Sequence, residues 1–205
     1  MSSIGTVVAS GDRWATVTRS TKETQITVTL KLDGTGETNI ETGVGFFDHL
    51  LNSMAHHALF DLDIQAAGDL VIDEHHTVED VSLVLGAALA QALGDRSGIA
   101  RFGDASVPMD ESVATCVVDV GGRPYAVVDL PFKGKRAGKL PLELIEHVLE
   151  SFARAGGVTL NIKGKGRNDH HLAEAAFKAL GRSLCAAVAV DPRRQGPAST
   201  KGALG

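Results

Sequence analysis

The sequence has 205 residues and a formal net charge of −5 at neutral pH, with 43% hydrophobic and 22% charged residues. These values are typical of a globular protein with a full core, and the mild acidity argues against a nucleic-acid partner. No segment reaches the ~18 consecutive apolar residues of a membrane helix, and the N-terminus lacks the pattern of a signal peptide. The two cysteines, Cys116 and Cys185, lie far apart in apolar segments, which argues against a disulfide framework or a cysteine-based zinc site. We therefore expect a cytoplasmic protein without a membrane partner.

Strand and helix patterns alternate along the first half of the chain. The segment TQITVTLKLD at 24–33 alternates polar and β-branched residues, which predicts a strand. A helix is predicted near 46–57, a short strand at 61–66 and a long helix near 76–93. The long helix carries apolar residues at helical spacing, namely Val81, Leu85 and Leu89.

The second half repeats this order. Two strand patterns occupy 114–130, and Gly121-Gly122 between them predicts a hairpin. Pro141 suits the start of the next helix. The remaining predicted elements are a helix at 141–155, a strand at 158–163 and a helix at 170–188, followed by an irregular, Pro/Gly-rich arm.

An internal duplication explains this repetition. The segments 46–55 and 62–68 match 144–153 and 160–166 at an offset of 98, and 74–89 matches 169–184 at an offset of 95. We therefore divide the chain into a first half-repeat at 1–97, a second at 98–191 and a C-terminal arm at 192–205. The alternating order predicts helices packed on a sheet.

The duplicated histidines point to metal binding. His75 and Glu79 are four residues apart and share one face of a helix, as do His170 and Glu174. The second histidine of each pair, at 76 or 171, points about 100° away. Each half must therefore direct its two histidines at two different places.

A two-fold relation between the halves would divide these ligands between two metals. His49 and His147 are equivalent lone histidines, each preceded by an acid on an earlier helix. The resulting hypothesis has one site formed by His49, His75, Glu79 and His171, and a second formed by His76, His147, His170 and Glu174. Three imidazoles and one carboxylate suit Mn, Fe, Co, Ni or Zn. A purely structural metal is an alternative, and His56 and His57 stay outside the set.

Several segments, in order along nearly the whole chain, resemble the signatures of the imidazoleglycerol-phosphate dehydratase family in its stand-alone form. They are RSTKET at 19–24, GFFDHL at 45–50, DEHHTVED at 73–80, RFG at 101–103, MDE at 109–111, DHHLAEA at 169–175 and STKG at 199–202. The resemblance implies an α+β fold of two similar two-layer halves, each a four-stranded sheet with helices on one face. It also implies a homo-oligomeric shell of twenty-four subunits with metals at the subunit contacts.

The resemblance further implies a lyase with two Mn2+ ions per active site, which converts imidazole glycerol phosphate to imidazole acetol phosphate in histidine biosynthesis. We hypothesise that the metals stabilise the imidazolate of the substrate, so that the neighbouring hydroxyl leaves through a diazafulvene-like intermediate. Glu23 is the preferred carboxylate for proton transfer, with Asp110 and Glu111 as second choices. The phosphate-binding residues implied are Arg101, Arg123, Lys178, Ser199 and Lys201.

Two other functions would also use such a metal site. A hydrolase with a metal-bound hydroxide would release free phosphate, whereas a dehydratase leaves the ester intact. A metal-storage or structural shell would bind metal without turnover and would give Glu23 no special role.

Overall fold

The computed structural model describes residues 4–204, and within this range four helices lie between two main β-sheets. The helices are α1 (Gly45–Ala58), α2 (His75–Leu93), α3 (Glu143–Gly156) and α4 (Asp169–Val188). The strands are β1 (Thr6–Gly11), β2 (Trp14–Ser20), β3 (Thr24–Lys31), β4 (Thr38–Glu41), β5 (Asp61–Gly68), β6 (Phe102–Met109), β7 (Ser112–Asp119), β8 (Tyr125–Asp129), β9 (Arg136–Ala137), β10 (Leu140–Pro141) and β11 (Thr159–Lys165). Of the helices in the described range, none combines the length and apolar character needed to cross a lipid bilayer.

The two main sheets repeat one strand order, which confirms the predicted duplicated α+β fold. The second sheet has the order β6-β7-β11-β8, and the first contains β2-β3-β5-β4 in the equivalent places. In both, the third strand is antiparallel to the second and parallel to the fourth. The register also repeats, since Gln25 lies opposite Ala67 in the first sheet and Val113 lies opposite Lys165 in the second.

The first sheet has a fifth strand that the sequence did not predict. β1 pairs antiparallel with β2 and forms one edge of the sheet, with Gly11 opposite Trp14. All six residues of β1 are exposed, and the strand therefore shows no alternation of buried and exposed positions. Its backbone pairing with β2 holds it in the sheet.

The predicted hairpin at Gly121-Gly122 is wrong. β7 and β8 are not neighbours, because β11 lies between them and runs parallel to β8. The parallel strands β8 and β11 are joined by a crossover through α3, since a tight turn cannot join parallel neighbours. Gly122, at a φ of 99°, instead donates its N–H to the carbonyl of Gly157 beyond α3.

The helices join the two halves. α1 and α2 cover the first sheet and α3 and α4 cover the second, while α1 packs against α4 and α2 packs against α3. α2 and α4 bury most of their residues, because small and apolar side chains predominate in both helices after the first turn. The four helix predictions are confirmed to within two residues. α3 begins at Glu143, because Pro141 belongs to the small β9-β10 hairpin.

Candidate metal centre

Two clusters of histidine and glutamate lie where helices of opposite halves meet. Cluster A consists of His49, His170 and Glu174, and cluster B consists of His75, Glu79 and His147. In each cluster the possible ligand atoms all lie within 4.8 Å of one another. Each combines a His-x-x-x-Glu pair from the last helix of one half with the lone histidine from the first helix of the other.

Cluster A is held together by its carboxylate. Glu174 Oε2 lies 3.0 Å from His49 Nε2 and 3.3 Å from His170 Nε2, while Lys178 Nζ donates to Glu174 Oε1 at 2.7 Å. Burial of the carboxyl opposes its ionisation, but hydrogen bonds from Lys178 and His49 outweigh burial and lower the pKa of Glu174 to about 2. The ring of Phe46 lies 4.9 Å from that of His170 and covers the cluster on one side.

Cluster B has the same design with a different cation. Glu79 Oε2 lies 3.4 Å from His147 Nε2 and 3.7 Å from His75 Nε2. Arg154 of α3, 3.6 Å from Glu79 Oε1, takes the place that Lys178 has in cluster A. His147 Nε2 is buried and makes no hydrogen bond to any residue in the described range. A divalent transition metal would satisfy this nitrogen, and two imidazoles with one carboxylate form a suitable donor set.

The predicted partition of the ligands is wrong within the chain. His49 was assigned to His75 and Glu79, but it lies against His170 and Glu174 instead. The reason is that α1 packs on α4 of the other half, which carries its histidine away from its own half's pair. By the same geometry, His147 joins the first half's pair.

His76 and His171, which the predicted partition placed in one site each, belong to neither cluster within the described chain. Each does point to a different place from the histidine before it, as the helical spacing predicted. The rings of His75 and His76 are inclined by 76°, and those of His170 and His171 by 87°. His76 Nδ1 lies 3.0 Å from Asp69 Oδ2, and the hydrogen bond between them raises the pKa of His76.

Glu111 holds the ring of His171 in the same way. Its Oε2 lies 2.9 Å from His171 Nδ1, and its Oε1 accepts the backbone N–H groups of Arg167 and Asn168. The hydrogen bond from His171 and that from the Asn168 N–H hold the pKa of Glu111 well below its usual range. The same hydrogen bond raises the pKa of His171.

The other two carboxylates predicted for proton transfer are exposed. Asp110 Oδ2 lies 3.9 Å from His171 Nδ1. Glu23 lies in the β2–β3 turn, and its carboxylate has no hydrogen-bond or ion-pair partner among residues 4–204.

Four of the five predicted phosphate-binding residues line one cavity of about 340 Å³, formed by Arg101, Arg123, Ser199 and Lys201 with neighbouring residues. Arg101 pairs with both oxygens of Asp119, at 2.7 and 2.8 Å, and also donates to the carbonyl of Ala198 at 2.7 Å. Arg101 thus ties the C-terminal arm to the second sheet. Lys178 lies outside this cavity, where its ammonium group pairs with the carboxylate of Glu174.

Sequence reasoning missed several residues that shape these sites. Asp69 and Asp119 orient a histidine and an arginine, and Arg154 and Phe46 flank the clusters. Asp119 could have been found from the sequence, since it ends an alternating strand pattern. Asp69 could not have been found from the duplication, because the equivalent position in the other half is an arginine.

Comparisons with known proteins identify the family. The family model for imidazoleglycerol-phosphate dehydratase matches residues 42–184. The imidazoleglycerol-phosphate dehydratase of Methanoculleus marisnigri is 53% identical over 94% of this chain and all of its own length. That of Chloroflexus aurantiacus is 51% identical over the whole of both chains. The crystal structure of the Pyrococcus furiosus enzyme has a TM-score of 0.79 and 36% identity, covering 91% of this chain and 99% of that one. The chain therefore belongs to the imidazoleglycerol-phosphate dehydratase family, and it is a lyase, a dehydratase of histidine biosynthesis.

Proposed function

We propose that this chain removes water from imidazole glycerol phosphate to give imidazole acetol phosphate. The observation that carries the proposal is the pair of equivalent His-His-Glu clusters in a chain of this family. In the imidazolate form, both ring nitrogens of the substrate have a lone pair, and the two lone pairs point in different directions, so a site with two metals can engage both. The cavity lined by Arg101 and Lys201 offers cationic and hydroxyl groups for the phosphate.

Each cluster is proposed to hold one Mn2+ ion, although other divalent transition metals suit the same donors. Cluster A would contribute His49, His170 and Glu174, and cluster B would contribute His75, Glu79 and His147. His76 and His171 belong to neither cluster, so we propose that they complete clusters of neighbouring copies. A closed homo-oligomer, for which we propose twenty-four subunits, satisfies this requirement for every copy.

When bound, manganese would supply Lewis acidity to the imidazole nitrogens, which favours the imidazolate and loss of the hydroxyl through a diazafulvene-like intermediate. Glu23 is our choice for the group that transfers protons to and from the substrate, because its carboxylate is exposed and free of partners within residues 4–204. Glu111 is less suited, since it accepts the hydrogen bond of His171. Asp110 is exposed and remains the second choice.

The phosphate is proposed to bind to Arg101, Arg123, Ser199 and Lys201. Arg101 is already oriented by Asp119 and Ala198, so little side-chain freedom is lost when the anion binds. Lys178 is tied to Glu174 and would reach the substrate only from cluster A.

The test is turnover of imidazole glycerol phosphate by protein that has been stripped of metal and reloaded with Mn2+. The ketone product is followed by its absorbance in alkali. We expect activity to return with Mn2+ and to vanish with chelator, and we expect Glu23→Gln to keep its metal while losing turnover. Release of inorganic phosphate would favour the hydrolase, and bound metal without any product would favour storage.

We also propose the cytoplasm as the site of action. Cys116 is buried, Cys185 is half-buried, and both are free thiols. Unpaired cysteines suit a reducing compartment. Fractionation of cells that express the full chain, with detection by antibody, tests this location.

A further inference from the structure

The two histidines outside the clusters each rest on a carboxylate. Asp69 Oδ2 lies 3.0 Å from His76 Nδ1, and Glu111 Oε2 lies 2.9 Å from His171 Nδ1. An imidazole that donates its Nδ1 hydrogen to a carboxylate keeps the lone pair of Nε2 for a metal, with the ring orientation fixed. The two bonds are alike in geometry, but they come from different parts of the fold.

The two halves use different acids for the same task. Val113 and Gln25 are equivalent positions in the two sheets. Glu111, in the β6–β7 turn, lies two residues before Val113, and Glu23, in the β2–β3 turn, lies two residues before Gln25. Glu111 and Glu23 are therefore equivalent. Asp69 follows β5, two residues after Ala67, and the equivalent position in the second half is occupied by Arg167. The second half therefore holds His171 with Glu111, the acid of the turn between its first two strands. The first half holds His76 with Asp69, for which the second half has no equivalent acid.

The consequence is that the turn acid of the first half stays free. Glu23 and Asp69 line the same groove, of about 300 Å³, and Asp69 is hydrogen-bonded to His76. Because Asp69 already accepts the Nδ1 hydrogen of His76, the Glu23 carboxylate is left exposed and without a partner in the described chain.

Two features fix the position of Asp69. Its backbone carbonyl accepts the N–H of Ile72 at 2.7 Å in a tight turn. Its second carboxylate oxygen, Oδ1, is buried and has no hydrogen-bond partner within residues 4–204. A carboxylate removed from water on one side binds its remaining partner more strongly.

We propose that Asp69 and Glu111 are positioning residues that orient His76 and His171 for metal binding, and that Asp69 thereby releases Glu23 for proton transfer. This inference rests on the proposed function, since it assumes metals at these histidines and a substrate proton for Glu23. It assigns the two halves unequal roles, with a structural turn acid in one and a reactive turn acid in the other.

The first experiment measures Mn2+ affinity without turnover, through the electron paramagnetic resonance signal of the free ion. Asp69→Ala and Glu111→Ala should each weaken Mn2+ binding by roughly 10- to 100-fold, and Asp69→Asn and Glu111→Gln should weaken it less. Asp104→Asn, an exposed acid on β6, is the matched control and should bind as the parent does. Circular dichroism and particle size verify that every variant is folded and assembled.

The second experiment measures kcat at saturating Mn2+, where both variants are fully metallated. Without Asp69, Glu23 becomes the nearest acceptor for His76, so Asp69→Ala should lose kcat several-fold more than Glu111→Ala. Affinities equal to the Asp104→Asn control would overturn the positioning role, and equal kcat losses would overturn the release of Glu23. A parent protein that binds Mn2+ but makes no ketone would reject the proposed function and the Glu23 role, while the affinities would still decide the positioning role.

Discussion

Gly86 and Gly181 occupy equivalent positions in α2 and α4, and each lies directly against a backbone carbonyl of a helix from the opposite half. A Cβ at Gly86 would lie 2.5 Å from the carbonyl oxygen of Phe152, and one at Gly181 would lie still closer to that of Met54. Phe152 and Met54 are themselves equivalent in the duplication. The two glycines therefore set the helix spacing that brings both clusters together.

Alanine at either glycine should destabilise the protein. Alanine favours a helix over glycine by up to ~1 kcal/mol, but overpacking against a rigid backbone typically costs about 1–3 kcal/mol. Since the carbonyl moves only if the helices separate, we expect Gly86→Ala and Gly181→Ala to lower the melting temperature by several degrees. Gly45→Ala is the control, because a Cβ there meets no atom within 4 Å. Equal stability of all three variants would contradict this account of the helix contact.

The helices could be predicted from sequence because apolar residues recur along each of them at the spacing of a helix. β1 could not, since all of its residues are exposed and only pairing with β2 defines it. The segment 114–130 contained two strand patterns, but their pairing depends on β11, which follows some thirty residues later. Local patterns therefore identified elements, and long-range packing decided their neighbours.

The site shows the same limit. Spacing on one helix correctly grouped His75 with Glu79 and His170 with Glu174. The assignment of His49 failed because it depends on which helix α1 packs against, and periodicity carries no such information. Asp69 was beyond sequence reasoning, because the other half offers no equivalent acid.

The ion pair between Arg101 and Asp119 should make stability depend on pH. Burial opposes ionisation of Asp119, but the hydrogen bond from Arg101 outweighs it and holds the pKa below the ordinary 3.8. A carboxyl whose pKa is lower in the folded state stabilises the fold above its unfolded pKa, and this contribution is lost as pH falls through the folded value. Asp119→Asn should therefore cost roughly 2 kcal/mol at neutral pH, and the difference should shrink below pH 4.

Denaturant unfolding of both proteins between pH 3 and 7 checks this. Asp129→Asn, an exposed acid on β8, should match the parent throughout. If Asp119→Asn were equally destabilised at pH 3 and at pH 7, packing rather than charge would be responsible.

Replacement of Lys201 by alanine should weaken substrate binding without disturbing the metals. Lys201 lines the cavity with Arg101 and Arg123 but lies outside both clusters. The loss of one charge-assisted contact to phosphate is worth about 1.5 kcal/mol or more, so KM should rise roughly tenfold. Steady-state kinetics and metal analysis measure the two effects, with Lys163→Ala on β11 as control. A loss of manganese in Lys201→Ala would show that the arm supports the clusters instead.

The grouping of ligands into cluster A and cluster B can be tested by counting metals. His49→Ala and His147→Ala each remove a ligand from one cluster, so each should retain about half of the parent's Mn2+ after dialysis. His56→Ala, another exposed histidine of α1, should retain all of it. Inductively coupled plasma mass spectrometry gives the metal content per chain.

Double variants separate this grouping from the one based on spacing alone. His49 and His170 belong to one cluster, so a chain lacking both should still hold the metal of cluster B. His49 and His75 belong to different clusters, so a chain lacking both should hold almost none. The opposite result, with metal kept only when His49 and His75 are removed together, would restore the partition in which each lone histidine serves its own half.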